Sequence, residues 1–342
     1  MDDNFEKQLI KALNEEKEIP SIVRMSLDST YDRIRTLPKK KNKVIRKIAA
    51  IVCCVVISVA MLNNESVIAG IKTFFNFNDK GVERALNEGF INENSNSIYD
   101  NGIEITLDSY FADSNKMGLS FKMKFDDSKI LKGIDTVSLD YRIKNGDGDY
   151  IMEDIPDTKT LKGKNQYISS LNEKNSKLDL KNNEVQFDVI LESNEGSIPK
   201  LENAVIEVET VKFFKNNKMI KGIDGIWNLA LNGEKSNVVN SVEYKAENNT
   251  SKIEIISAKA NPTSFNVIFA VDDEYIDFKK FSTINMKLID ENGKEYQSSS
   301  DYSQESNDTK TIIATNFGLT SYDNVDKLKL IVGSIGEVEL KK

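Results

Sequence analysis

The sequence predicts a mainly β protein with an α-helical N-terminus, and three observations carry that reading. From residue 98 onward, apolar residues recur with period two in short runs bounded by turn residues, the mark of half-buried strands. Near the N-terminus the apolar spacing is three and four residues, which is helical. Between the two regimes lies one uninterrupted apolar run, residues 48–62.

Composition removes several function classes. The 342 residues, 39% hydrophobic and 29% charged, are enough for two folded domains and additional segments. Histidine is absent, which excludes Ser-His-Asp and Cys-His catalysis, imidazole zinc sites and histidine pH switches. No GxGxxG, P-loop, GxSxG or CxxC is present, so no enzyme and no cofactor is expected. Residues 1–47 hold 12 Lys+Arg and 8 Asp+Glu, leaving 34 basic and 46 acidic residues in the remainder. That acidic bulk is a poor surface for nucleic acid.

The N-terminal segment reads as two short helices. Asp3 and Glu6 have capping-box spacing, and Phe5, Leu9 and Leu13 follow on one stripe. Pro20 opens a second helix whose stripe is Val23, Leu27, Tyr31 and Ile34, ended by Leu37-Pro38. Two thin stripes in some forty residues bury little by themselves. They can lie on each other or on the inner leaflet, but the preferred reading is a helix-in-groove ligand for a cytoplasmic protein.

The apolar run IAAIVCCVVISVAML has fifteen residues, and Val44 and Ile45 lengthen it if Arg46 and Lys47 snorkel to the headgroups. Lys39, Lys40, Lys41, Lys43, Arg46 and Lys47 crowd its N-terminal side, while Asn63, Asn64 and Glu65 follow it. The positive-inside rule places the N-terminus in the cytoplasm. A buried soluble helix would not need those cations, and a cleaved signal peptide would need a far shorter leader than 47 residues. An uncleaved transmembrane helix at 44–62 is therefore expected. Cys53 and Cys54, the only cysteines, sit inside it, where adjacent thiols make neither a metal cluster nor an ordinary disulfide.

Beyond the anchor, Phe74, Phe75 and Phe77 suit a juxtamembrane helix, and residues 92–96 read as a polar linker. Leu119, Phe121, Met123 and Phe125 alternate, as do Val137, Leu139, Tyr141 and Ile143, which run into the hairpin signal Asn145-Gly146. Some 150 residues later the order returns. Ile103-Glu104-Ile105 matches Ile253-Glu254-Ile255, the quartet Leu119, Phe121, Met123 and Phe125 matches Phe265, Val267, Phe269 and Val271, and Ile284, Met286 and Leu288 lead into Asn292-Gly293. Several matches in order at nearly constant offset indicate a tandem repeat. The first copy carries a longer polar insertion, 154–183, expected on the surface. Each copy has about seven short strands, which suggests an Ig-like antiparallel β-sandwich.

The expected organisation is a cytoplasmic helical segment (1–43), the anchor (44–62), a juxtamembrane helix and linker (63–97), a first extracellular sandwich (98–235) and a second (236–342). Acidic clusters at Asp147, Asp149, Glu153 and Asp154, and at Asp272, Asp273, Glu274 and Asp277, offer oxygen ligands but not the spacing of a calcium loop, and solvated surface is the plainer reading.

Helices containing Ile19-Pro20 and Val23, a basic stop, one anchor and tandem β domains with Gly225-Ile226-Trp227 near the end of the first together resemble a family of membrane-bound anti-sigma factors of Gram-positive bacteria. The resemblance spans nearly the whole chain. It implies that the partner of Phe5, Leu9, Leu13, Val23, Leu27, Tyr31 and Ile34 is an extracytoplasmic-function sigma factor, with the exterior domains sensing an extracellular ligand or stabilising the protein. The N-terminal segment lacks the His/Cys motif of the zinc-containing anti-sigma class, so zinc redox sensing is not implied. The competing reading is a cell-surface adhesion protein whose tail is only a topogenic signal.

Overall fold

A computed structural model describes residues 79–127, 129–163, 167–174, 176–231, 241–247, 252–276, 285–307, 309–333 and 335–342. All fall in one of the chain's two compact units, Leu62–Lys342. The expected cytoplasmic segment, anchor and most of the juxtamembrane stretch lie outside the described residues. Among the described residues no helix is long and apolar enough to cross a membrane.

The protein is mainly β, and every strand pairing is antiparallel. A short helix, α1 (Lys80–Asn87), precedes the first repeat. That repeat contains β1 (Asn92–Asp100), β2 (Ile103–Ala112), β3 (Lys116–Phe125), β4 (Thr136–Lys144), β5 (Tyr150–Asp154), β6 (Ser170–Glu173), β7 (Lys177–Asp179), β8 (Glu184–Glu192), β9 (Val205–Lys215) and β10 (Lys218–Ala230). One sheet has the order β1-β2-β3-β8-β6, with β7 also on β8, and the other the order β10-β9-β4-β5. Alternate residues of the two sheets, such as Ile105, Leu119 and Phe121 from one and Val137, Leu139 and Val211 from the other, enter one shared core.

The second repeat contains β11 (Val242–Glu243), β12 (Lys245–Ala246), β13 (Ile253–Ala260), β14 (Phe265–Asp272), β15 (Met286–Asp290), β16 (Glu295–Asn307), β17 (Lys310–Phe317), β18 (Lys327–Val332) and β19 (Gly336–Lys341). They form one continuous path, β11-β13-β14-β17-β16-β15-β18-β19-β12. Its two halves meet around Phe265, Phe269, Leu288, Ile313 and Leu330.

Register shows that the repeats correspond. Ile103 pairs with Phe125 and Ile105 with Met123 in the first, as Ile253 pairs with Val271 and Ile255 with Phe269 in the second. The β2–β3 hairpin is four residues longer between these pairs, which accounts for the drift of the offset from 150 on one strand to 146 on the other. β8 then lies on β3 as β17 lies on β14, and β9 lies on β4 as β18 lies on β15.

The repeats differ at the leading strand, which is β1 on β2 in the first and β11 on β13 with β12 on β19 in the second, and at the strand after β4 and β15. In the second, β16 starts against β15 at Glu295–Gln297 and ends against β17, so it crosses from one half of the sheet to the other. In the first, that strand is broken into β5 on β4, ending at Asp154, and then β6 from Ser170 and β7 from Lys177 on β8. The expected surface insertion at 154–183 is corrected accordingly. Its described residues 155–163 are outside any strand, and its later part contains the short strands β6 and β7, because the backbone of β8 needs partners on that side and Leu171 and Leu178 rest on the core.

The linker reading of residues 92–96 is also corrected. They form the first half of β1, paired to β2 through a bulge between Glu93 and Asn96. No apolar alternation marks this edge strand because it is fixed by its amides: Asn94 Nδ2 and Asn96 Nδ2 both donate to the Ala230 carbonyl, at 2.9 and 2.8 Å. Beside it, Trp227 is fully buried, and its Nε1–H donates to the Ile103 carbonyl of the opposite sheet at 3.0 Å.

Candidate functional site

The described element nearest to the expected anchor is α1, and its sequence fixes how it docks. Asp79 caps it, with Oδ1 accepting from the N–H groups of Gly81 and Val82 at 3.0 Å each. Val82, Ala85 and Leu86 fall on one face and are buried with Phe90, Ile91, Phe111 of β2 and Ile190 of β8, while Tyr322 of the second repeat packs against them. Glycine is required at position 81, where a Cβ would stand 2.0 Å from the Thr263 carbonyl oxygen. The helix backbone therefore touches the second repeat directly.

A buried lysine ties this helix to the first repeat. Lys116 Nζ bonds Asp79 Oδ2 and lies 3.5 Å from Glu192 Oε1. Burial works to lower its pKa, but the charges of Asp79, Glu192 and Asp113 outweigh burial and hold it above the usual lysine value. Asp79 thus serves both as helix cap and as counter-ion.

The two repeats meet through corresponding hairpin turns. Asp113 Oδ2 accepts from the N–H and hydroxyl of Thr263 at 2.9 and 2.7 Å, and its Oδ1 accepts from the N–H groups of Asn115 and Lys116. Asn115 Nδ2 donates to the hydroxyl of Ser264 at 2.8 Å, and Asn261 Nδ2 donates back to Asn115 Oδ1 at 2.9 Å. A second set joins Asn266 Nδ2 to the Asn194 carbonyl and to Asn316 Oδ1, and Asn316 Nδ2 to the Ser193 carbonyl at 3.2 Å. Burial pushes the Asp113 carboxyl up, against the pull of its hydrogen bonds. A buried network satisfied in this way specifies one relative placement, because sliding either turn would strand desolvated amides. Chemically the site offers no nucleophile–base pair. It is a joint at which α1, the first repeat and the second repeat are held together.

None of the expected partner residues, Phe5, Leu9, Leu13, Val23, Leu27, Tyr31 and Ile34, lies among the described residues. The acidic cluster at 147–154 does not converge. Glu153 is consumed by Arg142 and by the N–H groups of Lys162 and Gly163, while Asp147 and Asp149 sit on the turn between β4 and β5. Asp273 accepts from the Thr311 hydroxyl at 2.7 Å and Asp272 stands 3.8 Å from Lys310, while Asp277 lies outside the described residues. Among the described residues no group of three or more His, Cys, Asp or Glu side chains is placed to hold a metal ion.

One carboxyl pair was not visible in the sequence. Asp154 of β5 faces Glu173 of β6, and burial first, then the Asp154 charge, push the Glu173 carboxyl up to about 7. Ser138 donates to Glu173 at 3.4 Å, and Lys212 pairs with Asp140 at 2.6 Å alongside. A carboxyl raised on folding binds its proton more tightly in the folded state, so its stabilisation is complete below the unfolded value and is lost as pH rises through about 7. The first repeat is expected to lose stability between pH 5 and pH 8, and Glu173→Gln should flatten that slope. Urea midpoints at three pH values check this, and an unchanged slope in the variant would assign the dependence elsewhere.

Residues 39–125 match the family described as a domain of unknown function (DUF4179). The match runs from the basic stop through the expected anchor and α1 to the end of β3. Among solved structures, the chain is similar to one described as the conserved domain protein from Bacillus anthracis, with 15% identity over 71% of this chain and 77% of that one, at a TM-score of 0.44. Comparison with curated proteins gives no match.

Proposed function

We propose that the chain is a single-pass anti-sigma factor of the cell membrane, with residues 1–43 in the cytoplasm, 44–62 as the transmembrane helix and the β repeats outside, the first at 98–235 and the second at 236–342. The observation that carries the reading is the pair of apolar stripes, Phe5/Leu9/Leu13 and Val23/Leu27/Tyr31/Ile34, on the cationic side of the apolar run. A tail that served only for topology would need charge and no stripe. An extracytoplasmic-function sigma factor is the proposed cover, which keeps that factor from RNA polymerase.

For the exterior we propose Ig-like sandwiches. Taking β13 to β19 in order as strands A, B, C, C′/D, E, F and G gives A-B-E-D on one side and G-F-C-C′ on the other, the immunoglobulin order. The joint supports a sensing role, because the chain emerging from the anchor runs into a helix gripped by both repeats. A ligand that changed the placement of the repeats would act on the segment that leads to the membrane.

Binding to an extracytoplasmic-function sigma factor, sought first in the neighbouring gene, tests the reading. Burial of a leucine contributes about 1.5 to 3 kcal/mol, so Leu27→Asp should weaken the complex at least tenfold, about 1.4 kcal/mol, whereas Lys39→Ala should change it little. Pull-down and transcription of that factor's target genes are the measurements. If deletion of residues 1–43 leaves those genes silent, the tail is a topogenic signal and the adhesion reading takes over.

A further inference from the structure

We propose that the tip of the β9–β10 hairpin is a membrane-contact site that docks on an anionic lipid surface, an inference that rests on the anchored topology proposed above. Residues 212–221 read KFFKNNKMIK, four lysines with no acid. Asn216 and Asn217, at φ +50° and +60°, form the tight two-residue turn that suits a twisted hairpin, with Lys215 paired to Lys218 across it. Met219 and Ile220 are 53% and 54% exposed, and the ladder slips between Met219 and Lys221, which leaves Ile220 out of the pairing. Lys212 is paired with Asp140, but among the described residues no ion pair involves Lys215, Lys218 or Lys221. The preceding loop adds to the same patch. Asp135 accepts the Asn216 N–H at 2.6 Å, and the position of a Cβ at Gly133 is 3.6 Å from Lys215 Nζ, which brings the loop bearing Lys129 and Lys132 alongside. That loop also carries three acids, Asp135 bonded to the turn, Asp127 to the Lys129 N–H and Asp126 to the Tyr99 hydroxyl, so the net positive charge of the tip rests on Lys215, Lys218 and Lys221.

Lysine on an edge strand has a plainer use, which is to discourage pairing with another chain. The bulges of β10 serve the same end, and they argue against a peptide partner added as a strand. Edge protection accounts for the cations but not for two large apolar side chains exposed between them. Apolar residues flanked by lysines at a rigid tip are the pattern of an interfacial contact, in which the side chains enter the headgroup boundary while the ammonium groups meet lipid phosphates. The tether allows it. The eleven-residue strand β9 measures about 36 Å from the joint end to the tip, a reach that residues 63–78 cover if they run extended, at up to about 55 Å, in place of the juxtamembrane helix expected from Phe74, Phe75 and Phe77, which would give about 24 Å over the same residues.

The full chain in lipid nanodiscs tests this, with a fluorophore at Met219→Cys in a Cys53→Ala/Cys54→Ala background and brominated lipid as quencher. In discs containing phosphatidylglycerol, bromination should quench the label at least twofold. The quench should vanish in phosphatidylcholine discs and after Lys215→Glu/Lys218→Glu/Lys221→Glu, and a label at Ile256→Cys should stay bright throughout. An unquenched label at 219 in anionic discs, or quenching that survives the charge reversal, overturns the proposal. An unchanged Trp227 emission maximum certifies that each variant is folded. A label on the native Cys53 and Cys54 reports the anchor separately. If that label is not quenched, the anchored reading falls, and lysine-dependent co-sedimentation of the chain with phosphatidylglycerol vesicles decides the hairpin's role. In that assay, loss of lysine-dependent binding in Met219→Ser/Ile220→Ser supports entry of the apolar side chains into the headgroup boundary, whereas binding unaffected by that change is electrostatic alone and overturns the interfacial contact proposed for Met219 and Ile220.

Discussion

Replacing Arg142 by methionine is expected to destabilise the first repeat by about 3 to 5 kcal/mol, the effect of removing one partner from a buried ion pair. Arg142 lies on the outer face of β4, where its side chain is 3% exposed, and it pairs with Glu153, whose side chain is fully buried. Its Nε also donates to Glu209 Oε1 at 2.7 Å, and its terminal nitrogen to the Thr160 carbonyl at 3.3 Å. The loop after β5 closes over the pair, with Lys159 reaching Glu209 at 2.8 Å. Methionine fills much of the volume and leaves the Glu153 carboxylate buried beside only the N–H groups of Lys162 and Gly163. That residual charge, more than the lost attraction, sets the size of the effect. Arg142→Met/Glu153→Leu should therefore recover part of the loss, since an apolar pair of similar volume carries no desolvated charge. Urea titration followed by the emission of Trp227, the single tryptophan of the chain, reads this repeat directly. If the double variant is no more stable than Arg142→Met, the pair acts by holding the loop and not through its charges.

This same face shows where reading the sequence succeeds and where it stops. A strand with one side in a core is written in alternate residues, so Val137, Leu139, Tyr141 and Ile143 announce β4 without any knowledge of its neighbours. The intervening Ser138, Asp140 and Arg142 look like solvent residues, yet they too are buried, with Glu173, Lys212 and Thr160 respectively lying against them. Alternation reports the first covering layer and is silent about the second. Strands held by side-chain amides, such as the start of β1, leave no apolar signature at all.

The candidate site was less legible for a related reason. Glu153 and Asp154 are adjacent in the chain and look like one acidic cluster, but neighbours on a strand point to opposite faces. One meets Arg142, and the other meets Glu173 nineteen residues later. Asp113 and Thr263 are separated by 150 residues and meet because the repeats abut through corresponding turns. The only advance signal is that both turns are short and polar, Asp113-Ser114-Asn115 and Asn261-Pro262-Thr263-Ser264. That composition marks a turn wherever it occurs.

Trp227→Ala is expected to destabilise the first repeat by about 3 to 5 kcal/mol, the range for truncating a large aromatic in a core. β10 is exposed for most of its length, and Trp227 and Leu229 are its buried residues. Trp227 pairs with Val208 on one side and reaches Ile103 of the opposing sheet with its indole N–H, so one side chain pins an edge strand and joins two sheets. Gly225 makes this placement possible, because a Cβ there would come within 2.3 Å of the indole ring. Gly225→Ala should then displace the ring without deleting it, which separates position from volume. In that variant the native emission maximum should move to longer wavelength as the indole loses its dry site, and the urea midpoint should fall by less than in Trp227→Ala, whose unfolding is followed by circular dichroism. Should Gly225→Ala leave both the emission and the midpoint unchanged, the strand has room to shift, and Trp227 fills space without fixing where β10 lies.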